Sequence, residues 1–144
     1  MKPILAITMG DPAGIGPEIC ARALARKEVY DLCRPVIVGD AKMLQKAVGL
    51  LQLDLQVHAI QNISDARFEY GTADVYDLDL IDLDSFRWGE VQKQCGDAAF
   101  QYVRKAIELA MNNEVDGTCT APLNKEAIHL AGHNYDGHTE IYAT

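Results

Sequence analysis

The sequence predicts an α/β protein, a parallel or mixed sheet with helices on both faces. Three observations carry this. Short apolar runs at 4–7, 35–38 and 55–60 alternate with Ala- and Leu-rich helical segments, the β-α-β-α-β pattern of a sheet with helical crossovers. The first run ends in Gly10, Gly14 and Gly16, a turn that leads straight into a helix. A later run, 117–122, also passes into a helical segment, as a further strand of such a sheet would.

Ile4-Leu5-Ala6-Ile7 reads as a buried first strand. After the glycine turn, Pro17 suits the first helical position, where a missing N–H costs little, and Glu18 suits the positive end of the helix dipole. The helix is expected over 17–27, with Ile19, Ala23 and Leu24 facing inward. Residues 35–40 give a β-branched second strand bounded by Pro35 and Gly39. Asp40 is expected to cap a helix over 41–48 that Gly49 ends. Residues 55–60 alternate as a third strand, with His58 on its polar, solvent side.

From 61 to 88 the pattern loosens and aspartates accumulate. Val75-Tyr76-Asp77-Leu78-Asp79-Leu80 alternates like a half-exposed strand; no glycine turn or terminal glutamate gives it calcium-loop spacing. The longest helix is expected over 91–112, with Ala99, Val103, Ala106 and Ala110 on one face and Phe100, Ile107 and Met111 beside them. Its alanines allow close approach to the sheet. Residues 117–122 then read as another central strand.

At 144 residues the chain has the size of one domain, long enough for a real core, and no internal boundary, repeat or linker is visible. A formal charge of −8 argues against a nucleic-acid surface, which would need a basic face. No apolar run approaches the roughly 18 to 20 residues that span a bilayer, and the N-terminus lacks signal-peptide character. Cys20, Cys33, Cys95 and Cys119 show neither C-x-x-C nor disulfide-framework spacing, so they read as reduced, mostly buried thiols of a cytoplasmic protein. The chain stops at Thr144 as a helix begins, which suggests a part of a longer protein.

Three stretches could carry chemistry. The first is Met9 to Glu18, where a strand, a glycine turn and a helix N-terminus could receive an anion, or could simply make a tight connection. Gly10, Gly14 and Gly16 fit neither G-x-G-x-x-G nor a P-loop, so both common nucleotide fingerprints are absent. The second, Thr120 to Ala127, runs from a strand's carboxyl end into a helix capped by Asn124. Lys125 then opposes the helix dipole, which fits a lysine held for an anion or for proton transfer as well as it fits a solvated one. The third is Tyr135 to Glu140, where His138 and Thr139 stand at a helix entrance and could donate to a phosphate or carboxylate. His129 and His133 have the i, i+4 spacing of paired ligands, but no H-E-x-x-H accompanies them and helix-end histidines are expected.

Together, M-G-D-P-A-G-I-G-P-E, T-A-P-L-N-K-E-A and G-H-T-E resemble the 4-hydroxythreonine-4-phosphate dehydrogenase family. The resemblance is strongest to its second branch, which includes D-threonate and D-erythronate 4-phosphate dehydrogenases. It covers essentially all of the chain but less than half of a full-length member. It implies a fold like that of isocitrate and isopropylmalate dehydrogenases, which open on a similar G-D turn and need no Rossmann loop.

The resemblance further implies NAD- or NADP-dependent oxidation of a secondary alcohol in a phosphorylated four-carbon acid, followed by decarboxylation, with a divalent metal (Zn, Mg, Co or Mn) polarising the alcohol. The first substrate expected is 4-phosphohydroxy-L-threonine, in pyridoxine phosphate biosynthesis. D-threonate or D-erythronate 4-phosphate is the second, and a non-catalytic binding module keeping the fold is a further possibility. Carried over onto this chain, His138 and Thr139 match the substrate-binding pair, Lys125 matches the lysine of T-x-P-x-x-K, and Asp11 and Gly14 would line the cleft. The metal-binding histidines of the family lie beyond Thr144, so none of His58, His129 and His133 is expected to replace them. Members are cytoplasmic homodimers that share each active site between subunits, so the 144 residues alone are expected to be inactive. Neither nucleic acid nor membrane is an expected partner.

Overall fold

A computed structural model describes residues 2–121 and 125–133, Lys125 by its backbone alone. The chain runs β1 (Ile4–Thr8), α1 (Gly16–Leu24), α2 (Lys27–Leu32), β2 (Arg34–Gly39), α3 (Ala41–Leu51), β3 (Gln56–Ile60), a 3₁₀ turn (Ile63–Asp65), β4 (Thr72–Asp77), α4 (Lys93–Met111), β5 (Gly117–Thr120) and α5 (Lys125–Leu130). The strands form one sheet in the order β3-β4-β2-β1-β5, and every described pairing is parallel. The α/β expectation holds, with a purely parallel sheet. Crossovers run one way from β1 through β3 and the other way into β5. Right-handed connections therefore put α1, α2 and α3 on one face and α4 with α5 on the other.

The inner face of α1 is Pro17, Cys20, Ala21 and Leu24, an i, i+3, i+4, i+7 set. Ile19, expected inside, is 42% exposed. The expected single helix over 17–27 breaks at Arg26, whose backbone is extended, and α2 restarts at Lys27. Tyr30 anchors α2, its hydroxyl donating to the Thr72 carbonyl at 2.8 Å. Gly49 does not end α3. The helix continues to Leu51 and stops at Gln52, which takes left-handed geometry with φ 54°.

The largest correction concerns β4. The strand expected over 75–80 runs earlier, over Thr72–Asp77, in the interior of the sheet, where Ala73, Asp74 and Val75 are fully buried; 78–80 lie outside it. Asp74 is tolerated there because its carboxylate accepts from His58 Nδ1 at 2.8 Å, Arg67 N–H at 3.1 Å and Phe68 N–H at 2.9 Å. His58 is accordingly a partner of a buried carboxylate rather than a plain solvent-facing side chain.

Cys95, Ala98, Ala99, Tyr102, Val103, Ala106 and Leu109 are the buried apolar residues of α4. The expected stripe is therefore rotated: Ala110 is only partly buried and Met111 is 78% exposed. Gly96 lets α4 meet α5, because a Cβ there would overlap the Ala127 carbonyl. Expected as central, β5 lies at the edge of the described sheet, with Cys119 and Thr120 exposed. Among the described residues no helix is long and apolar enough to cross a membrane.

Candidate functional site

The topological switch point of the sheet lies at β1, which pairs with β2 on one side and β5 on the other. Thr8 stands opposite both Val38 and Thr120. The carboxyl ends of β1 and β5 therefore lie side by side at the switch point, the place where open α/β sheets bind ligands. Two bonds prolong the ladders past the strands: Met9 N–H donates to the Val38 carbonyl at 3.0 Å, and Ala121 N–H to the Thr8 carbonyl at 3.1 Å.

The glycine turn follows β1 at this point. Gly10 has φ 75°, a conformation that favours glycine. Asp11 Oδ1 accepts from Ala13 N–H at 2.8 Å, and the Asp11 carbonyl accepts from Gly14 N–H at 3.0 Å. Gly16 starts α1 hard against the end of β1, where a Cβ would land on the Met9 carbonyl oxygen. The glycines therefore bring a helix N-terminus close to a strand end. Gly14 is exposed, whereas Asp11 is only 4% exposed.

That burial has an electrostatic consequence. Desolvation raises the Asp11 pKa, and the Ala13 hydrogen bond offsets only part of the rise. Asp11 Oδ2 has no hydrogen-bond partner, and neither has the hydroxyl of fully buried Thr8. Cys95 lies close by on α4. Burial, reinforced by the negative charges of Asp11 and Asp40, pushes its thiol up to about 12, which makes it an unreactive group.

A second polar centre, at the end of β2, was not legible as such in the sequence. Asp40 occupies the N-cap position of α3 without making a side-chain cap bond. Its buried carboxylate instead accepts from Leu80 N–H and Ile81 N–H, each at 2.8 Å, and from the Tyr102 hydroxyl at 2.6 Å. Lys42 Nζ stands 3.6 Å away. Asp40 thus fixes the loop after β4, and further along that loop Gly89 N–H donates to the Ala13 carbonyl of the glycine turn at 2.8 Å. The available signal was Tyr102, a hydroxyl on the buried face of a long helix that must find an acceptor.

Of the remaining candidates, Lys125 begins α5, directly after the segment leaving β5. Asn124, His138 and Thr139 lie outside the described residues. His133 lies just past α5, stacked on Phe100 at 3.8 Å between ring centroids, with Nε2 2.9 Å from Asp97 Oδ1. His58, on β3, is separated from β1 by two strands. Among the described residues, no three His, Cys, Asp or Glu side chains gather as a metal would require.

The sequence profile described as Pyridoxal phosphate biosynthetic protein PdxA matches residues 31–144. A protein of Halalkalibacterium halodurans named "Putative D-threonate 4-phosphate dehydrogenase" is 49% identical over 99% of this chain and 42% of its own length. One of the same name from Fusobacterium nucleatum is 47% identical over 98% of this chain and 42% of its own length. Among solved structures, a 4-hydroxythreonine-4-phosphate dehydrogenase from Burkholderia phymatum superposes with a TM-score of 0.96 at 46% identity, covering 99% of this chain and 43% of that one. The chain thus spans less than half the length of these relatives. With a profile match over most of its length and this agreement in sequence and fold, the chain belongs to the PdxA family.

Proposed function

We propose that these 144 residues are the N-terminal portion of a longer, homodimeric NAD- or NADP-dependent dehydrogenase that oxidises a phosphorylated four-carbon 3-hydroxy acid, with loss of carbon dioxide. D-threonate 4-phosphate is the preferred substrate in this reading. The observation that carries it is the 47% and 49% identity, over almost the whole chain, to relatives bearing that substrate's name. Those names favour it over 4-phosphohydroxy-L-threonine, the substrate first expected from the sequence. The solved relative from Burkholderia phymatum is named for 4-hydroxythreonine 4-phosphate, which keeps that compound as the comparison substrate.

The end of β1 supports this reading, because the glycine turn there holds a buried carboxylate oxygen that has no partner of its own. When bound, the nicotinamide supplies a hydride acceptor for the secondary carbon. The chain's own residues bind and orient the acid. His138 and Thr139 are assigned to its phosphate or carboxylate end, and Asp11 and Gly14 to the cleft wall. Lys125 contacts an anionic group or takes the alcohol proton. The described residues do not fit a divalent metal, so no step is assigned to one here, and its ligands are placed beyond Thr144.

In the full-length protein, Lys125→Met separates the two roles of the lysine. Proton transfer predicts a fall in kcat of about a hundredfold, within the usual range for general acid–base catalysis. A rise in KM with unchanged kcat would make it a binding contact alone.

A further inference from the structure

Thr8 Oγ1 and Asp11 Oδ2 are the two buried side-chain polar atoms without a hydrogen-bond partner among the described residues. Such atoms are rare in folded proteins, and two of them three positions apart at one strand end require an explanation. Thr8 ends β1 and Asp11 lies in the turn that follows, both at the switch point of the sheet. Thr8 is fully buried and Asp11 is 4% exposed. The Ala13 N–H holds Asp11 Oδ1 at 2.8 Å, which fixes the carboxyl plane and the direction of Oδ2. No cation pairs with Asp11 among the described residues. The carboxylate is therefore oriented but only half used.

We infer that Thr8 and Asp11 form a hydroxyl-binding subsite at the carboxyl end of β1. The Asp11 carboxylate accepts from one hydroxyl of a bound polyol, while the Thr8 hydroxyl, which can both donate and accept, pairs with its neighbour. A carboxylate repels phosphate and carboxylate groups, so the subsite takes the neutral, hydroxyl-bearing part of the ligand and leaves its anionic ends to other residues. Oδ2 is enclosed, so engaging a ligand requires the 10–14 turn to open slightly. Gly10, at φ 75°, and Gly14 supply the backbone freedom for that.

This inference rests on the dehydrogenase reading, within which hydroxyl pairs come from two sources: the sugar-acid phosphate and a ribose of the dinucleotide. Calorimetric titration of the full-length protein with NAD and, separately, with D-threonate 4-phosphate distinguishes them. Asp11→Asn keeps an acceptor for Ala13 but turns an N–H₂ toward the ligand's donor. It should weaken one of the two ligands at least tenfold, and the ligand affected names the source. Its melting temperature should be no lower than wild type, because a group retained for binding at a cost in stability is relieved by neutralisation. Thr8→Val is the second variant, with the same two expectations.

Affinities for both ligands within twofold of wild type in both variants would overturn the subsite. So would a lowered melting temperature with unchanged binding, which is the behaviour of a purely structural group. If the wild-type protein oxidises neither phosphorylated acid, the proposed activity falls. NAD titration and the melting comparison still decide the subsite in that case.

Discussion

Asp40 and Tyr102 show what a single residue contributes when its partner lies far away in the chain. Their 2.6 Å hydrogen bond joins the end of β2 to the middle of α4 in a buried setting. Tyr102→Phe should lower unfolding stability by about 1.5–3 kcal/mol, the usual worth of a bond to a charged group, as read from urea denaturation. A loss below a few tenths would mean that the carboxylate finds another donor. Asp40 was legible as the residue before a helix but not as the anchor of a loop forty positions on, because a cap is local and an acceptor for Leu80 and Ile81 is not. Asp11 bears on pH. Burial raises its folded pKa above the ordinary aspartate value, so the folded state holds the proton more tightly than the unfolded chain. Its contribution is therefore present below that value and is lost as pH rises through the folded pKa. Asp11→Asn removes this loss, so its stability relative to wild type should be greater at pH 7 than at pH 4; a pH-independent difference would contradict the assignment.

Among the elements, glycine at two helix positions separates requirement from tolerance. Gly96→Ala forces α4 and α5 apart at the Ala127 carbonyl and should cost about 1–3 kcal/mol, the range for overpacking a close contact. Gly49 faces open space, and a helix continues through it. The left-handed end of α3 falls instead on Gln52, so Gln52→Gly should stabilise the protein by about 1 kcal/mol by removing the left-handed strain. A lower unfolding midpoint for Gln52→Gly would show that its side chain matters more than its backbone. Strands β1, β2 and β3 were legible from apolar runs and turn residues. The course of β4 was not, because the alternation over 75–80 starts the strand three residues late, and the donors from β3 and residues 67–68 that let Asp74 be buried do not show in local sequence. The short helix α2 carries no side-chain cap, and its anchor, the Tyr30 bond to Thr72, is invisible in local sequence.

For the whole molecule, the crossover pattern implied a parallel sheet, and reversal of strand order at β1 puts the switch point beside the opening glycine turn. The sequence showed that the glycine turn follows β1 and that a helix follows the strand through 117–120, and the pairing of β1 with β5 brings those two strand ends together. The rest of the candidate site does not follow, because His138 and Thr139 lie outside the described residues and the chain spans under half of its relatives. An isolated 144-residue polypeptide should form no NADH with either phosphorylated acid, and turnover by it would remove the need for the longer partner sequence. The account's central claim is tested most directly by the rate of NADH formation by the full-length protein. D-threonate 4-phosphate and 4-phosphohydroxy-L-threonine would be compared side by side, with NAD and a divalent metal supplied. A higher kcat/KM for D-threonate 4-phosphate is the predicted result; turnover of neither acid would contradict the account.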